Sequence, residues 1–166
     1  YVGIEVGIPN MANLYMTSPD GLGMAAGVAG TLVGAYWFLM LCGRLVGGAV
    51  GAKVSSRAMM TFVSSIAIVF VLLGMFLPET MTMTLLDAQV PVGMVFFVLC
   101  GLCTSIMWGA IFNLAVEGLG KYTSIASGLF MVMVCGGGLL PLLQGFVADK
   151  AGYIPSYWVI IAALAY

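Results

Sequence analysis

Four long stretches of this chain contain no charged residue, and this pattern limits the possible folds more than any other feature. The stretches are residues 21–43, 58–78, 88–116 and 122–148. An α-helix needs roughly 20 apolar residues to cross a hydrocarbon core of ~30 Å, so each stretch is long enough to span a bilayer. The sequence therefore predicts four complete transmembrane helices.

Two shorter uncharged runs, residues 6–19 and 151–166, lie at the two ends of the sequence. We interpret them as parts of a first and a last membrane helix, each shortened by the end of the sequence. The chain is 63% hydrophobic and 7% charged, which is far too little charge to cover the surface of a soluble domain. The predicted fold class is an all-α membrane protein with six transmembrane helices.

Turn residues separate these predicted helices. Pro19 and Gly21 form one turn, because proline sets φ and glycine admits the left-handed region. A basic turn at 53–57 and a short polar stretch at 80–89 mark two others. The predicted helices cover approximately residues 1–16, 24–51, 58–77, 91–116, 122–148 and 153–166.

The distribution of charge predicts the orientation of the chain in the membrane. One end of the predicted helices carries Lys53, Arg57 and Lys121, with Arg44 about two turns inside it. The opposite end carries Asp20, Glu79, Asp87 and Asp149, with Lys150 as its single base. By the positive-inside rule, the basic end is cytoplasmic.

A short pattern occurs twice, near the ends of the second and fifth predicted helices. Its four residues recur 97 positions later, Leu45, Gly48, Val50 and Lys53 as Leu142, Gly145, Val147 and Lys150. Because three helices separate the copies, they face opposite sides of the membrane. This arrangement predicts an inverted three-plus-three repeat.

Three internal segments and the start of the chain resemble the fucose permease and glucose/galactose permease branch of the major facilitator superfamily. They read GRLVGGAVGAKVSSR at 43–57, WGAIFNLAVEGLGKYT at 108–123, GGGLLPLLQGFVAD at 136–149 and YVGIEV at 1–6. Members of that branch are twelve-helix sugar–proton symporters of the bacterial inner membrane. The resemblance implies that residues 1–166 form the C-terminal six-helix half, and that an N-terminal half carries the main proton-coupling carboxylates. It implies no cofactor besides the coupling proton.

Glu5 is the first candidate for a functional residue. If the first helix begins before Tyr1, Glu5 lies near the middle of the membrane, where a carboxylate is costly and usually faces a cavity or a partner. It could accept hydrogen bonds from sugar hydroxyls, bind the coupled proton or pair with a base in the other half. The alternative is an interfacial acid at a shortened helix.

Asn10 and Asn13 are three positions apart and share one helix face. Pro9 precedes them, removes a backbone donor and favours a kink. Amides that point into a cavity suit sugar recognition, because they supply both donors and acceptors. Hydrogen bonding between helices is the alternative.

Further substrate-binding candidates lie in the fourth and fifth predicted helices. The indole of Trp108 suits the C–H face of a pyranose, and it resembles a family tryptophan that lines the sugar cavity; apolar packing is the alternative. Asn113 and Gln144 are weaker candidates. The alternatives for Tyr36, lining a cavity or facing lipid, remain open.

Arg44 and Glu117 both lie near the cytoplasmic ends of their predicted helices. A buried arginine without a partner is very costly. We predict that the two pair and act as a gate or latch rather than as substrate contacts. Cys100 and Cys103 form a lone C-x-x-C in a chain without histidine, which cannot complete a four-ligand zinc site.

Three functions remain open. The leading one is proton-driven secondary transport of a monosaccharide by alternating access, with sugar, lipid and the N-terminal half as partners. The others are a major facilitator carrier of a drug or organic anion, and a structural subunit of a membrane complex. The net charge of −1 disfavours a nucleic-acid partner. An enzyme is disfavoured because the sequence offers neither a nucleophile–base pair nor a metal cluster.

Overall fold

The computed structural model describes residues 1–51, 53–85 and 88–166 and is mostly helical. Its helices are α1 (Val2–Thr17), α2 (Ala26–Gly51), α3 (Ser56–Phe76), α4 (Val92–Val116), α5 (Thr123–Val132), α6 (Gly136–Ala151) and α7 (Tyr157–Ala165). Short 3-10 turns at Gly120–Tyr122 and Met133–Cys135 adjoin α5 and link it to α6. Helices α5 and α6 therefore form one long rod with a break just before the glycines at 136–138.

Four helices are long and apolar enough to cross a membrane. They are Ala26–Gly51, Ser56–Phe76, Val92–Val116 and Gly120–Ala151. These are the four spans that the charge-free stretches predict, so the chain is a multi-pass membrane protein. The first and last helices are shorter, with 16 residues in α1 and 9 in α7.

The polar stretch between α3 and α4 forms a β-hairpin that the sequence did not predict. Strand β1 (Thr82–Leu85) pairs antiparallel with β2 (Ala88–Pro91), with Thr82 opposite Pro91. Four-residue strands give too short an alternation to recognise in sequence. Asp87, assigned above to the acidic end, lies outside the described residues.

Helix α4 is central and packs along both α2 and α3. Glycines allow these close approaches: a methyl group on Gly93 would lie 2.8 Å from the Gly74 carbonyl oxygen, and one on Gly43 would lie 2.8 Å from that of Leu102. Helix α1 packs mainly along α6 and also touches α2, α4 and α7. Helix α1 is thereby held between α6 and α7 on one side and α2 and α4 on the other.

Candidate functional site in the middle of the bundle

A buried hydrogen-bond chain joins α1, α2 and α4. The Tyr36 hydroxyl on α2 donates to the backbone carbonyl of Glu5 at 3.0 Å and lies 3.1 Å from the Thr104 hydroxyl on α4. Tyr36 is 1% exposed and Thr104 is fully buried. Tyr36 therefore does not face lipid; it borders a hollow of about 10 Å³ at the point where the three helices meet.

The position of Thr104 gives the depth of this point. Helix α4 has 25 residues. At 1.5 Å per residue it is ~37 Å long, and its middle residue Thr104 lies ~18 Å from either end. The backbone of Glu5 is at the same level. Glu5 therefore lies level with the middle of α4, and its depth in a membrane stays a prediction.

The Glu5 carboxylate pairs with Arg44 of α2. The Arg44 Nη2 atom lies 3.2 Å from Glu5 Oε1, and the side chains are 53% and 12% exposed respectively. Arg44 Nη2 also lies 3.6 Å from the Met40 sulfur. The ion pair therefore connects a largely buried acid to a base that remains half accessible.

The predicted pair of Arg44 with Glu117 is wrong for this structure. Side chains on a helix point back towards its N-terminus, and α2 runs towards the end that the charge distribution predicts to be cytoplasmic. The guanidinium of Arg44 is thus carried deeper into the bundle and reaches Glu5. Glu117 is an exposed residue that follows the last turn of α4.

A groove between α2 and α4 brings three of the predicted residues together. Arg44, Trp108 and Asn113 line this groove, which has a volume of about 240 Å³. Trp108 is half-buried and Asn113 is exposed. The groove thus offers a guanidinium, an indole and an amide, a combination that can bind a hydroxylated ring by directed hydrogen bonds and apolar contact.

Trp108 also separates this groove from a second hollow of about 140 Å³ between α1, α4 and α5. Its ring centroid lies 5.6 Å from that of Tyr1 and 5.3 Å from that of Phe130. The indole is therefore held by aromatic packing on one side and borders the groove on the other.

The other predicted residues lie away from the groove. Asn10 is exposed and Asn13 half-buried, both on the part of α1 beyond Pro9. Gln144 is fully buried, and neither amide atom has a hydrogen-bond partner among the described residues. It packs on α1, where a methyl group on Gly7 would lie 2.6 Å from Gln144 Oε1.

The chain is similar over its full length to sugar transporters. It is 29% identical over 166 residues to a glucose/galactose transporter of Brucella abortus biovar 1 (strain 9-941), and the match covers 100% of this chain and 38% of that protein. A putative glucose/galactose transporter of Helicobacter pylori J99 is 30% identical over 149 residues, which are 90% of this chain and 33% of that protein.

The L-fucose-proton symporter of Escherichia coli K12 is 28% identical over 140 residues, covering 84% of this chain and 30% of that protein. The resemblance inferred from sequence is thereby confirmed, and these relatives are transporters rather than enzymes. The chain spans 25–38% of the length of the curated relatives it matches. No family model and no solved structure matches it.

Proposed function

We propose that the full-length protein carries a monosaccharide, a hexose or 6-deoxyhexose, across the bacterial inner membrane by proton symport. The observation that carries this proposal is the mid-membrane Glu5–Arg44 pair, whose Arg44 opens onto the groove lined by Trp108 and Asn113. Ionisable residues at such depth usually border a substrate or ion path. The names of the relatives support a sugar as the substrate.

The transporter would have twelve helices, of which α1 to α7 form one half. The packing supports an inverted repeat, because α2 packs along α4 and α6 packs along α1. When α5 and α6 are counted as one span, the chain has six spans. Exchanging the first three spans for the last three replaces α2 by α5–α6 and α4 by α1, so the α2–α4 contact becomes the α6–α1 contact. Alternating access would move this half against a second six-helix half around the mid-membrane site.

Each residue has a distinct task in this proposal. Glu5 accepts a hydrogen bond from a sugar hydroxyl or receives the coupled proton, and Arg44 is its counter-charge and gate. Trp108 stacks on the sugar ring, and Asn113 bonds a hydroxyl. Asn10 and Asn13 face the second half, whereas the buried Gln144 serves the α1–α6 interface.

A neutral substrate suits this charge arrangement better than an organic anion. An anion carrier needs an uncompensated base within the membrane, and Arg44 already has a carboxylate 3.2 Å away. A sugar can bond to both members of the pair without separating them.

Uptake of a panel of radiolabelled sugars by the full-length protein tests the proposal. We expect accumulation of at least one hexose or 6-deoxyhexose, and a protonophore should abolish that accumulation. Uptake that is unchanged by the protonophore contradicts proton symport, and failure to take up any sugar in the panel contradicts the substrate class.

A further inference from the structure

Pro9 leaves one backbone carbonyl of α1 without its usual donor. In a regular helix, the N–H of residue 9 would bond to the carbonyl of residue 5, and proline has no N–H. Yet α1 continues through Pro9 from Val2 to Thr17. The orphaned group is the carbonyl of Glu5, the residue that carries the mid-membrane carboxylate.

Tyr36 supplies the missing donor from a neighbouring helix. A carbonyl can only accept, so the Tyr36 hydroxyl proton is directed to Glu5 across the 3.0 Å contact. The Thr104 hydroxyl, which also donates to the backbone carbonyls of its own helix, lies 3.1 Å from the Tyr36 oxygen. Since Tyr36 is 1% exposed, water does not readily replace it as the donor.

Glu5 is consequently held at two points by one helix. Tyr36 holds its backbone and Arg44 holds its carboxylate, and the two residues lie on α2 about two turns apart. The contact with Tyr36 fixes the position of the Glu5 backbone, and the ion pair with Arg44 fixes the position of the carboxylate at the end of its side chain.

We propose that Tyr36 is a positioning residue for Glu5. Its hydroxyl replaces the donor that Pro9 removes and thereby keeps the Glu5 carboxylate beside Arg44 at the middle of the bundle. This inference rests on the proposed transport function, in which Glu5 contacts the sugar or the proton.

Tyr157 provides a matched control within the same helix bundle. Its hydroxyl donates to the carbonyl of Ile8 on α1 at 2.9 Å, and its side chain is fully buried. The Ile8 carbonyl also has its regular helical donor, the N–H of Ala12, so removal of this tyrosine hydroxyl does not orphan a carbonyl.

The test compares initial uptake rates of the full-length protein and its variants, normalised to the amount at the membrane. We expect Tyr36→Phe to raise KM about fivefold with little change in Vmax, because a buried acceptor is left unsatisfied. Tyr157→Phe should change KM less than about twofold, since its acceptor remains bonded. A role in folding alone would lower the amount of protein and leave KM unchanged.

Pro9→Ala restores the backbone donor and completes the test. In the Pro9→Ala background, Tyr36→Phe should change KM less than about twofold, because coupled residues are non-additive. Equal effects of Tyr36→Phe in the two backgrounds, or equal effects of Tyr36→Phe and Tyr157→Phe, overturn the proposal. If Tyr36→Phe does not accumulate, recovery in Pro9→Ala/Tyr36→Phe supports it and absence of recovery overturns it.

The same comparison by thermal unfolding of the purified full-length protein separates this inference from the proposed function. A midpoint that Tyr36→Phe lowers in the Pro9 background and not in the Pro9→Ala background supports the contact even if no sugar is carried. If sugar is carried and Tyr36→Phe changes neither KM nor the midpoint, the positioning role fails and the transport function stands.

Discussion

The guanidinium of Arg44 lies 3.2 Å from the carboxylate of Glu5 across the interface between α2 and α1. The pair is asymmetric, because the acid is largely buried and the base is half exposed. Loss of the base is therefore expected to cost more than loss of both charges, since it leaves a buried carboxylate without a counter-charge.

Arg44→Gln should lower sugar uptake at least about tenfold, and Glu5→Gln/Arg44→Gln should be more stable to heat than Arg44→Gln alone. The measurements are uptake and the unfolding midpoint of the full-length protein. Lys53→Gln, which alters an exposed base just beyond the C-terminal end of α2, is the control. A double variant no more stable than Arg44→Gln would show that the Glu5 carboxylate does not destabilise the protein when its counter-charge is missing.

The indole of Trp108 borders the groove beside Arg44 and Asn113. Trp108→Ala should raise the KM for sugar about tenfold, and Trp108→Phe should raise it less, because an aromatic face for stacking is retained. Trp158→Phe changes a tryptophan that is 52% exposed and is the control. Kinetics of Trp108→Ala that match those of the wild type would remove the indole from the sugar site.

Tyr15 lies near the C-terminal end of α1, away from the Glu5–Arg44 pair, and connects α1 to other parts of the bundle. Its hydroxyl donates to the Glu79 carboxylate, and its ring lies 5.9 Å from that of Tyr153. Tyr15→Phe should reduce the free energy of unfolding by about 1 kcal/mol, the usual contribution of one hydrogen bond. Tyr122→Phe, which alters an exposed ring, is the control and should leave the free energy of unfolding unchanged. Equal unfolding midpoints for both variants would contradict a stabilising role for this contact.

Gly7 and Gln144 form a close contact between α1 and α6. Gly7→Ala should destabilise the protein by about 1–3 kcal/mol, because its methyl group would overlap the Gln144 amide. Gly30→Ala is the control, because among the described residues no atom beyond its own helix turn lies within 4 Å of the added methyl group. Gln144→Met should stabilise the fold, since it removes two buried atoms that have no hydrogen-bond partner in the described part of the chain. Heat resistance unchanged in all three variants would contradict this packing.

The sequence alone predicts the membrane spans because charge is excluded from lipid, and charge-free length is directly readable. It does not predict the partner of Arg44, because distance from a helix end does not show which residue of a neighbouring helix the guanidinium reaches. The hairpin at Thr82–Pro91 was missed for a different reason, since its strands are too short to show a pattern.

The role of Tyr36 lies between these cases. A proline inside a predicted helix leaves the carbonyl four residues earlier without its helical donor. The sequence therefore shows that the Glu5 carbonyl needs another donor. Which helix supplies the donor depends on packing, and only the structure places Tyr36 there. Gln144 shows the converse, because its amide suggested a substrate contact while the fold buries it against Gly7.

The central claim is that Glu5 belongs to a sugar and proton path, and its most direct test is gradient-driven accumulation of the transported sugar in proteoliposomes containing the full-length protein. Glu5→Gln should abolish accumulation against the gradient, whereas Asp20→Asn, which changes an exposed loop carboxylate, should accumulate sugar as the wild type does. Accumulation by Glu5→Gln at the wild-type level would contradict the account.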